Sequence, residues 1–270
     1  MKRLRTFFHG VTNFTRFLGV IFLAALDFVF GLWLPGKSSS ILARAQWLQR
    51  WSRRVLANLD IQVERHGVPP VAGVLACNHL SYLDIIVLGA GQPIVFVAKN
   101  EIRHWPVFGR LAQWAGTLFV RRERKSDVAK FNEAFAAVVD AGVVLGLFPE
   151  GTSTNGRQLL PFFSSLFEPA VARGWPVSAA RIDYSLREGS VENDICYWGD
   201  MTFFPHFLRL LRRQKIAAKV VYGSVLPPGL DRKEMARALH RQVVELAGAA
   251  PAATGPLGYP PVACDKAGTA

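Results

Sequence analysis

The sequence predicts an α/β fold: a mostly parallel sheet of about seven strands flanked by helices, preceded by an N-terminal membrane-associating helical hairpin. Three observations carry this expectation. From residue 60 onward, short apolar runs alternate with helical stretches, the signature of βα units. Several of those runs are apolar at every position, as in strands covered on both faces. The first sixty residues instead hold one long apolar segment and one amphipathic segment. Half the residues are hydrophobic and only 19% are charged, which excludes global disorder.

The apolar segment is FTRFLGVIFLAALDFVFGLWLP, residues 14–35, close to the roughly 20 residues that span a bilayer. Asp27 near its middle would cost about 2.5–3.5 kcal/mol at the bilayer centre. Basic residues flank it on both sides, so charge sets no orientation, and no small-residue cleavage site follows it directly. The next segment, residues 41–59, places Ile41, Ala45, Leu48, Ser52, Val55 and Leu59 on one side, with Trp47 and Trp51 at the border. That is the pattern of an interfacial amphipathic helix. Together the two read as a hairpin dipping into one leaflet, the alternative being a single spanning anchor.

Strands are expected at 61–67, 73–78, 93–99, 116–122, 142–151, 175–184 and 217–226. The clearest helices are 125–142, with a Ser126 or Asp127 cap and Gly142 as its stop, and 231–248. The tail after Gly248 is rich in Ala, Pro and Gly and reads as disordered. The expected divisions are therefore 1–59, 60–248 and 249–270.

Net charge is +12, unevenly placed. Residues 1–60 hold nine basic residues against Asp27 and Asp60, and a second patch runs from Arg209 to Lys219. Such patches suit anionic headgroups or nucleic-acid backbones. The first flanks an apolar stretch and the second follows FFPHFL, so an anionic membrane surface is the expected partner and nucleic acid is not. Cys77, Cys196 and Cys264 form no paired framework, and the six histidines show no metal-ligand spacing. The expectations are reduced thiols, no metal and a protein facing the cytosol.

The stretch LACNHLSYLD, residues 75–84, carries the chemistry. On one uniform helix, His79 and Asp84 would lie roughly 140° apart. They meet only across a bend: strand, turn, then the first turn of a helix. In open α/β sheets, functional groups gather beyond the carboxyl ends of strands. There fall Asn78–Asp84, Lys99–Glu101, Arg121–Arg122 and FPEGTSTNGR at 148–157. A base, an orienting carboxylate and cations are available, but no serine sits in a GxSxG elbow. That favours direct transfer to an external hydroxyl over a covalent enzyme intermediate.

NHLSYLD resembles the H-x-x-x-x-D motif of the glycerolipid and lysophospholipid acyltransferase family, and FPEGTS its Pro-Glu-Gly-Thr motif. Residues 97–122 are similar to the family's intermediate block at Lys99, Pro106, Gly109, Gly116 and Arg122, and GWPVSAARI falls at its Val-Pro strand. The four blocks occur in family order over residues 60–226. The resemblance implies acyl transfer from acyl-CoA or acyl-carrier protein to a lysolipid hydroxyl, without a cofactor. It implies His79 as general base and Asp84 as its orienting partner. It also implies substrate contacts at Asn78, Ser81, Lys99, Arg122, Glu150, Gly151 and Thr152. Enzymes acting on 1-acylglycerol-3-phosphate usually carry arginine and lysine where this chain has Ser153 and Phe163; Arg157 is a candidate substitute. The leading acceptor is 1-acyl-sn-glycerol-3-phosphate, giving phosphatidic acid. Another lysolipid such as lyso-ornithine lipid is the alternative, and an inactive membrane-bound scaffold is the non-enzymatic one. The expected location is the cytoplasmic face of the cell membrane.

Overall fold

The computed structural model describes residues 2–120 and 128–248. Arg121, Arg122, the expected Ser126/Asp127 cap and the 249–270 tail lie outside the described residues.

The chain opens with helix α1 (Lys2–Phe28), which continues through a π-helical turn at Val29–Trp33, and helix α2 (Ile41–Asn58). Then come β1 (Ile61–His66), β2 (Val74–Cys77), α3 (Leu83–Gly91), β3 (Ile94–Lys99), α4 (Phe108–Trp114), β4 (Leu118–Val120), α5 (Val128–Asp140) and β5 (Val144–Leu147). The last third holds α6 (Glu168–Arg173), β6 (Val177–Leu186), α7 (Val191–Asp194), α8 (Phe203–Leu211), β7 (Ile216–Val225) and α9 (Arg232–Glu245). Helix α9 starts at a capping box, in which Asp231 accepts from the Lys233 and Glu234 amides and Glu234 reaches back to the Asp231 amide.

The seven strands form one sheet in the order β1-β7-β6-β2-β5-β3-β4. Every pair is parallel except β6–β7, which is antiparallel over a long ladder. The sheet is thus mostly parallel, as expected, with β7 and β1 running against the other five. Two-sided burial explains the uninterrupted apolar runs. Leu75 and Cys77 of β2, Ile94 and Phe96 of β3, and Ile182 and Tyr184 of β6 face a core layer shared with α1, α2, α3 and α8. Val74 and Ala76, Val95, and Val177 and Ala179 face the layer covered by α5, α6 and α9. Along β6 the alternation is unbroken, Val177 and Ala179 facing one layer and Ala180, Ile182 and Tyr184 the other; a register shift opposite Ser178–Ala180 is taken up by an extra residue in β7.

Helix α2 departs from the sequence expectation. Its apolar side (Ala45, Trp47, Leu48, Trp51, Ser52, Val55, Leu56) is buried in the protein rather than presented outward. Gly89 of α3 makes this close seat available: a Cβ there would stand 3.0 Å from Ser52 Oγ and 3.4 Å from Leu48 Cγ. The amphipathic pattern therefore marks a helix laid on a core, which shows the same periodicity as one laid on a lipid surface. Helix α1 is different. Asn13, Phe17, Ala24, Phe28 and Leu32 point inward, while Phe8, Leu18, Phe22, Leu23, Leu26, Phe30 and Trp33 are exposed. The helical stretch Phe8–Trp33 is long and apolar enough to cross a membrane by length and composition. Asp27, awkward in an apolar helix, is met by α2, where Trp51 Nε1 (2.7 Å) and Arg50 (3.1 Å) donate to Oδ2.

Candidate active site

Sheet order brings the chemistry together. Strands β6, β2, β5 and β3 are adjacent and parallel, so the segments leaving their carboxyl ends share one edge. His79 follows β2, the Phe148–Gly151 turn follows β5 and Lys99 closes β3.

Between β2 and α3 the chain bends as the His79–Asp84 spacing requires. Asp84 lies in the first turn of α3, where the helix dipole favours an anion. Its Oδ2 accepts the backbone N–H of Leu80 (2.7 Å) and Ser81 (2.9 Å), which shapes the turn. The same oxygen lies 2.8 Å from His79 Nδ1, and Tyr184 Oη donates to Oδ1 at 2.7 Å. Asp84 is fully buried, whereas the His79 side chain remains 20% exposed. A carboxylate only accepts, so Nδ1 carries the shared proton, which leaves Nε2 as the ring nitrogen without a partner in the loop. The ring stacks on Phe148 at 4.1 Å between centroids, and Phe148 stacks on Phe96.

Glu150 braces this loop from below. Its Oε1 accepts the His79 backbone N–H (2.7 Å) and its Oε2 that of Leu160 (2.9 Å). Burial pushes its carboxyl above the ordinary range, opposed by those two backbone donors. Gly151 closes the turn, its N–H bonding Phe148 O at 3.0 Å with φ of +73°, a region that favours glycine. The Thr154 N–H donates to His79 O at 2.9 Å, tying the two loops together.

His79, Lys99, Gly151, Thr152 and Ser153 line the polar end of a cavity of about 410 Å³. The remaining wall is almost wholly apolar and includes Phe17 and Ile21 of α1, Trp47 and Val55 of α2, Phe96 and Phe108. A volume of a few hundred cubic ångströms is usual for a ligand site. No group of His, Cys, Asp and Glu among the described residues could hold a metal.

Not every residue implied by the family motifs reaches this cavity. Asn78 is buried, with its side-chain amide bonded to both Ile182 N (2.8 Å) and Ile182 O (2.9 Å) of β6. Ser81 and Glu150 are buried as well and do not line the cavity. In place of the expected substrate contacts, Asn78 bonds Ile182 and Glu150 bonds the His79 and Leu160 amides, while the Ser81 side chain is buried away from the cavity. Arg122 lies outside the described residues. Arg157 is committed elsewhere: it pairs with Glu192 at 2.7 Å, and Asn155 holds the same carboxylate at 3.0 Å. Ser153 Oγ donates to Tyr197 O.

No motif points to Tyr184, 100 residues from its partner Asp84, or to Tyr82 and His206. Tyr82 Oη and His206 Nδ1 share a hydrogen bond of 2.9 Å beneath an aromatic cluster that includes Tyr197 and Phe203. Burial, and then Arg209, hold the His206 imidazole below its ordinary range, so it is neutral near pH 7. On acidification the unfolded chain takes up a proton at His206 near pH ~6.5 before the folded chain does. The stability contributed at His206 should therefore fall as pH drops from about 6.5, against the opposite contribution of Glu150 at lower pH. Denaturant midpoints at pH 7.5 and 5.5 check this, and His206→Gln should flatten the difference; an unchanged slope would contradict it.

Residues 60–183 match the family model described as Acyltransferase. The lyso-ornithine lipid O-acyltransferase of Pseudomonas aeruginosa is 36% identical over 255 residues, covering 92% of this chain and 95% of that protein. This chain belongs to the glycerolipid acyltransferase family. Among other relatives of this acyltransferase, the 1-acyl-sn-glycerol-3-phosphate acyltransferase of Neisseria meningitidis is 41% identical over 135 residues, 49% of this chain and 53% of that protein. The fold is shared with the crystal structure of the 1-acyl-sn-glycerophosphate acyltransferase PlsC from Thermotoga maritima, with a TM-score of 0.61 and 18% identity over 92% of this chain and 99% of that one.

Proposed function

We propose that this acyltransferase moves a fatty acyl group from a thioester donor, acyl-CoA or acyl-carrier protein, to the hydroxyl of a lysolipid. The observation that carries this reading is the assembled His79–Asp84 pair at the polar end of an apolar cavity. Nε2 of His79 removes the hydroxyl proton as the alcohol oxygen attacks the thioester carbonyl. The C–O bond forms, the C–S bond breaks, and the imidazolium returns its proton to the departing thiolate. Asp84 holds the tautomer and balances the transient positive charge. The apolar wall accommodates the acyl chain, with Lys99 and Thr152 at the entrance. An inactive scaffold is disfavoured because the dyad retains the tight geometry that its chemistry requires.

For the acceptor we favour lyso-ornithine lipid over the 1-acylglycerol-3-phosphate that the motifs alone put first. The relative matched along nearly its whole length bears that activity. The site also has Ser153 and Phe163 at the usual cationic places, and Arg157 is paired to Glu192. A phosphomonoester brings about −1.5 to −2 charges, and among the described residues Lys99 is the one Lys or Arg lining the cavity to meet them. The Neisseria meningitidis relative keeps the phosphate acceptor as the second reading. With one labelled acyl-CoA, kcat/KM should be at least about tenfold higher for lyso-ornithine lipid, a gap of about 1.4 kcal/mol in transition-state binding. Ser153→Arg should narrow that gap. A preference for 1-acylglycerol-3-phosphate by the native protein would reverse the assignment.

The exposed side of α1 meets the membrane, on one leaflet at the cytoplasmic face. Phe22 and Phe30 are 63% and 64% exposed. Each contributes up to about 1.5–3 kcal/mol if lipid covers it. Phe22→Ser with Phe30→Ser should weaken binding to phosphatidylglycerol vesicles by at least about tenfold. Binding of the parent protein should survive high salt; salt-sensitive binding untouched by the double change would point to electrostatic attachment alone.

A further inference from the structure

We propose that Tyr184 is a positioning residue of the catalytic dyad: its hydroxyl clamps Asp84 so that the other carboxylate oxygen stays turned toward His79. The inference rests on His79 acting as the base. Asp84 is fully buried and its two oxygens are unequally served. Three N–H groups converge on Oδ2, from His79 Nδ1, Leu80 and Ser81. Among the described residues, Oδ1 receives only the Tyr184 hydroxyl, at 2.7 Å. A buried carboxylate oxygen stripped of its donor carries a large desolvation penalty, so Tyr184 decides whether this rotamer of Asp84 is comfortable.

The clamp comes from a rigid element. Strand β6 pairs with β2, in register from Val74↔Val177 to Cys77↔Ala180. Beyond that ladder β6 grips the catalytic loop twice, through Ile182 on the Asn78 amide and Tyr184 on Asp84. Tyr184 is itself buried in the core layer that faces α1, α2 and α3. Since the carboxylate only accepts, the phenol must donate. Burial and the neighbouring Asp84 push its ionisation far above the ordinary range, so the donor persists at every working pH. The other titratable groups around the pair are His79, Glu150 in the turn after β5, Cys77 at the end of β2 and Cys196 after α7. Both thiols are pushed upward, Cys196 to about 12, so neither changes charge near neutrality.

A donor on Oδ1 stabilises the carboxylate relative to the carboxylic acid and disperses its charge. Removing it makes the dyad a better proton trap, so the acid limb of the pH–rate profile should move upward. A merely structural tyrosine would lower the rate without moving that limb. The test is Tyr184→Phe in the full chain, assayed in detergent micelles. Palmitoyl-CoA is the donor, and the acceptor is the better of lyso-ornithine lipid and 1-acylglycerol-3-phosphate. The expected result is a kcat lower by about 10- to 100-fold, both KM values within about twofold, and an acid limb raised by about one unit. Wild-type kcat, or an equal loss at every pH with an unmoved limb, would overturn the proposal. If Tyr184→Phe does not fold, 3-fluorotyrosine at the same position carries the test. Its stronger donor should lower the acid limb, and an unmoved limb would again overturn the clamp. His79→Ala measured alongside separates the two claims: activity retained there removes the base itself, whereas an inert His79→Ala beside a fully active Tyr184→Phe removes only the clamp.

Discussion

His79→Ala should lower acyl transfer by about 10²–10⁴-fold, the usual contribution of a positioned general base, while leaving the protein folded. The two halves of this expectation come from different contacts. Catalysis depends on Nε2, which alanine removes outright. Folding depends little on the ring, because the side chain is partly exposed and the loop is held by its backbone. The His79 N–H bonds Glu150, its carbonyl accepts from Thr154, and Asp84 keeps the Leu80, Ser81 and Tyr184 donors without the imidazole. What is lost is the stack on Phe148 and the Nδ1 bond to Asp84 Oδ2, which keeps two backbone donors. Turnover with saturating donor and acceptor, beside a thermal melt, checks both halves. A folded His79→Ala protein with near-native turnover would remove the base from the mechanism.

Asp84→Asn should be almost as damaging to turnover and more damaging to stability. The amide can keep its carbonyl toward His79, Leu80 and Ser81 and turn its NH2 toward the Tyr184 oxygen, so the bonding pattern survives in outline. The negative charge does not. The imidazolium formed during transfer loses its counter-charge in a buried setting, where screening is weak. Three donors then share one neutral acceptor, and charge-assisted bonds are roughly twice as strong as neutral ones. A loss of about 10²–10⁴-fold in kcat is expected, with an acceptor KM close to native. A lower denaturation midpoint, by about 1–3 kcal/mol, should accompany it. Turnover within a few-fold of native would mean that something other than Asp84 orients His79.

Much of this site was legible in the sequence because it is local. The spacing of His79 and Asp84 demanded a strand, a bend and a helix start, and β2, the turn and α3 supply them. The seven strands fell close to their apolar runs because two-sided burial writes itself as unbroken hydrophobicity. What was hidden depended on partners far along the chain. Asn78 and Glu150 look like active-site polar groups in a motif, yet β6 and the catalytic loop's own backbone consume their hydrogen bonds. Arg157 looks like a free cation until Glu192 of α7 folds beside it. Tyr184 is one more aromatic residue in a strand until sheet order sets β6 next to β2. Helix α2 was misread for a physical reason: one apolar stripe serves equally against lipid or against α3, and only tertiary packing distinguishes them.

The most direct test of the central claim is a mass-spectrometric transfer assay with purified protein, isotope-labelled palmitoyl-CoA and a pool of lysolipids. Label should appear in an ester at the formerly free lysolipid hydroxyl, with stoichiometric release of CoA thiol, and neither product should form with His79→Ala. Label that stays on the donor, appears only as free fatty acid, or reaches the lysolipid equally with His79→Ala would contradict it.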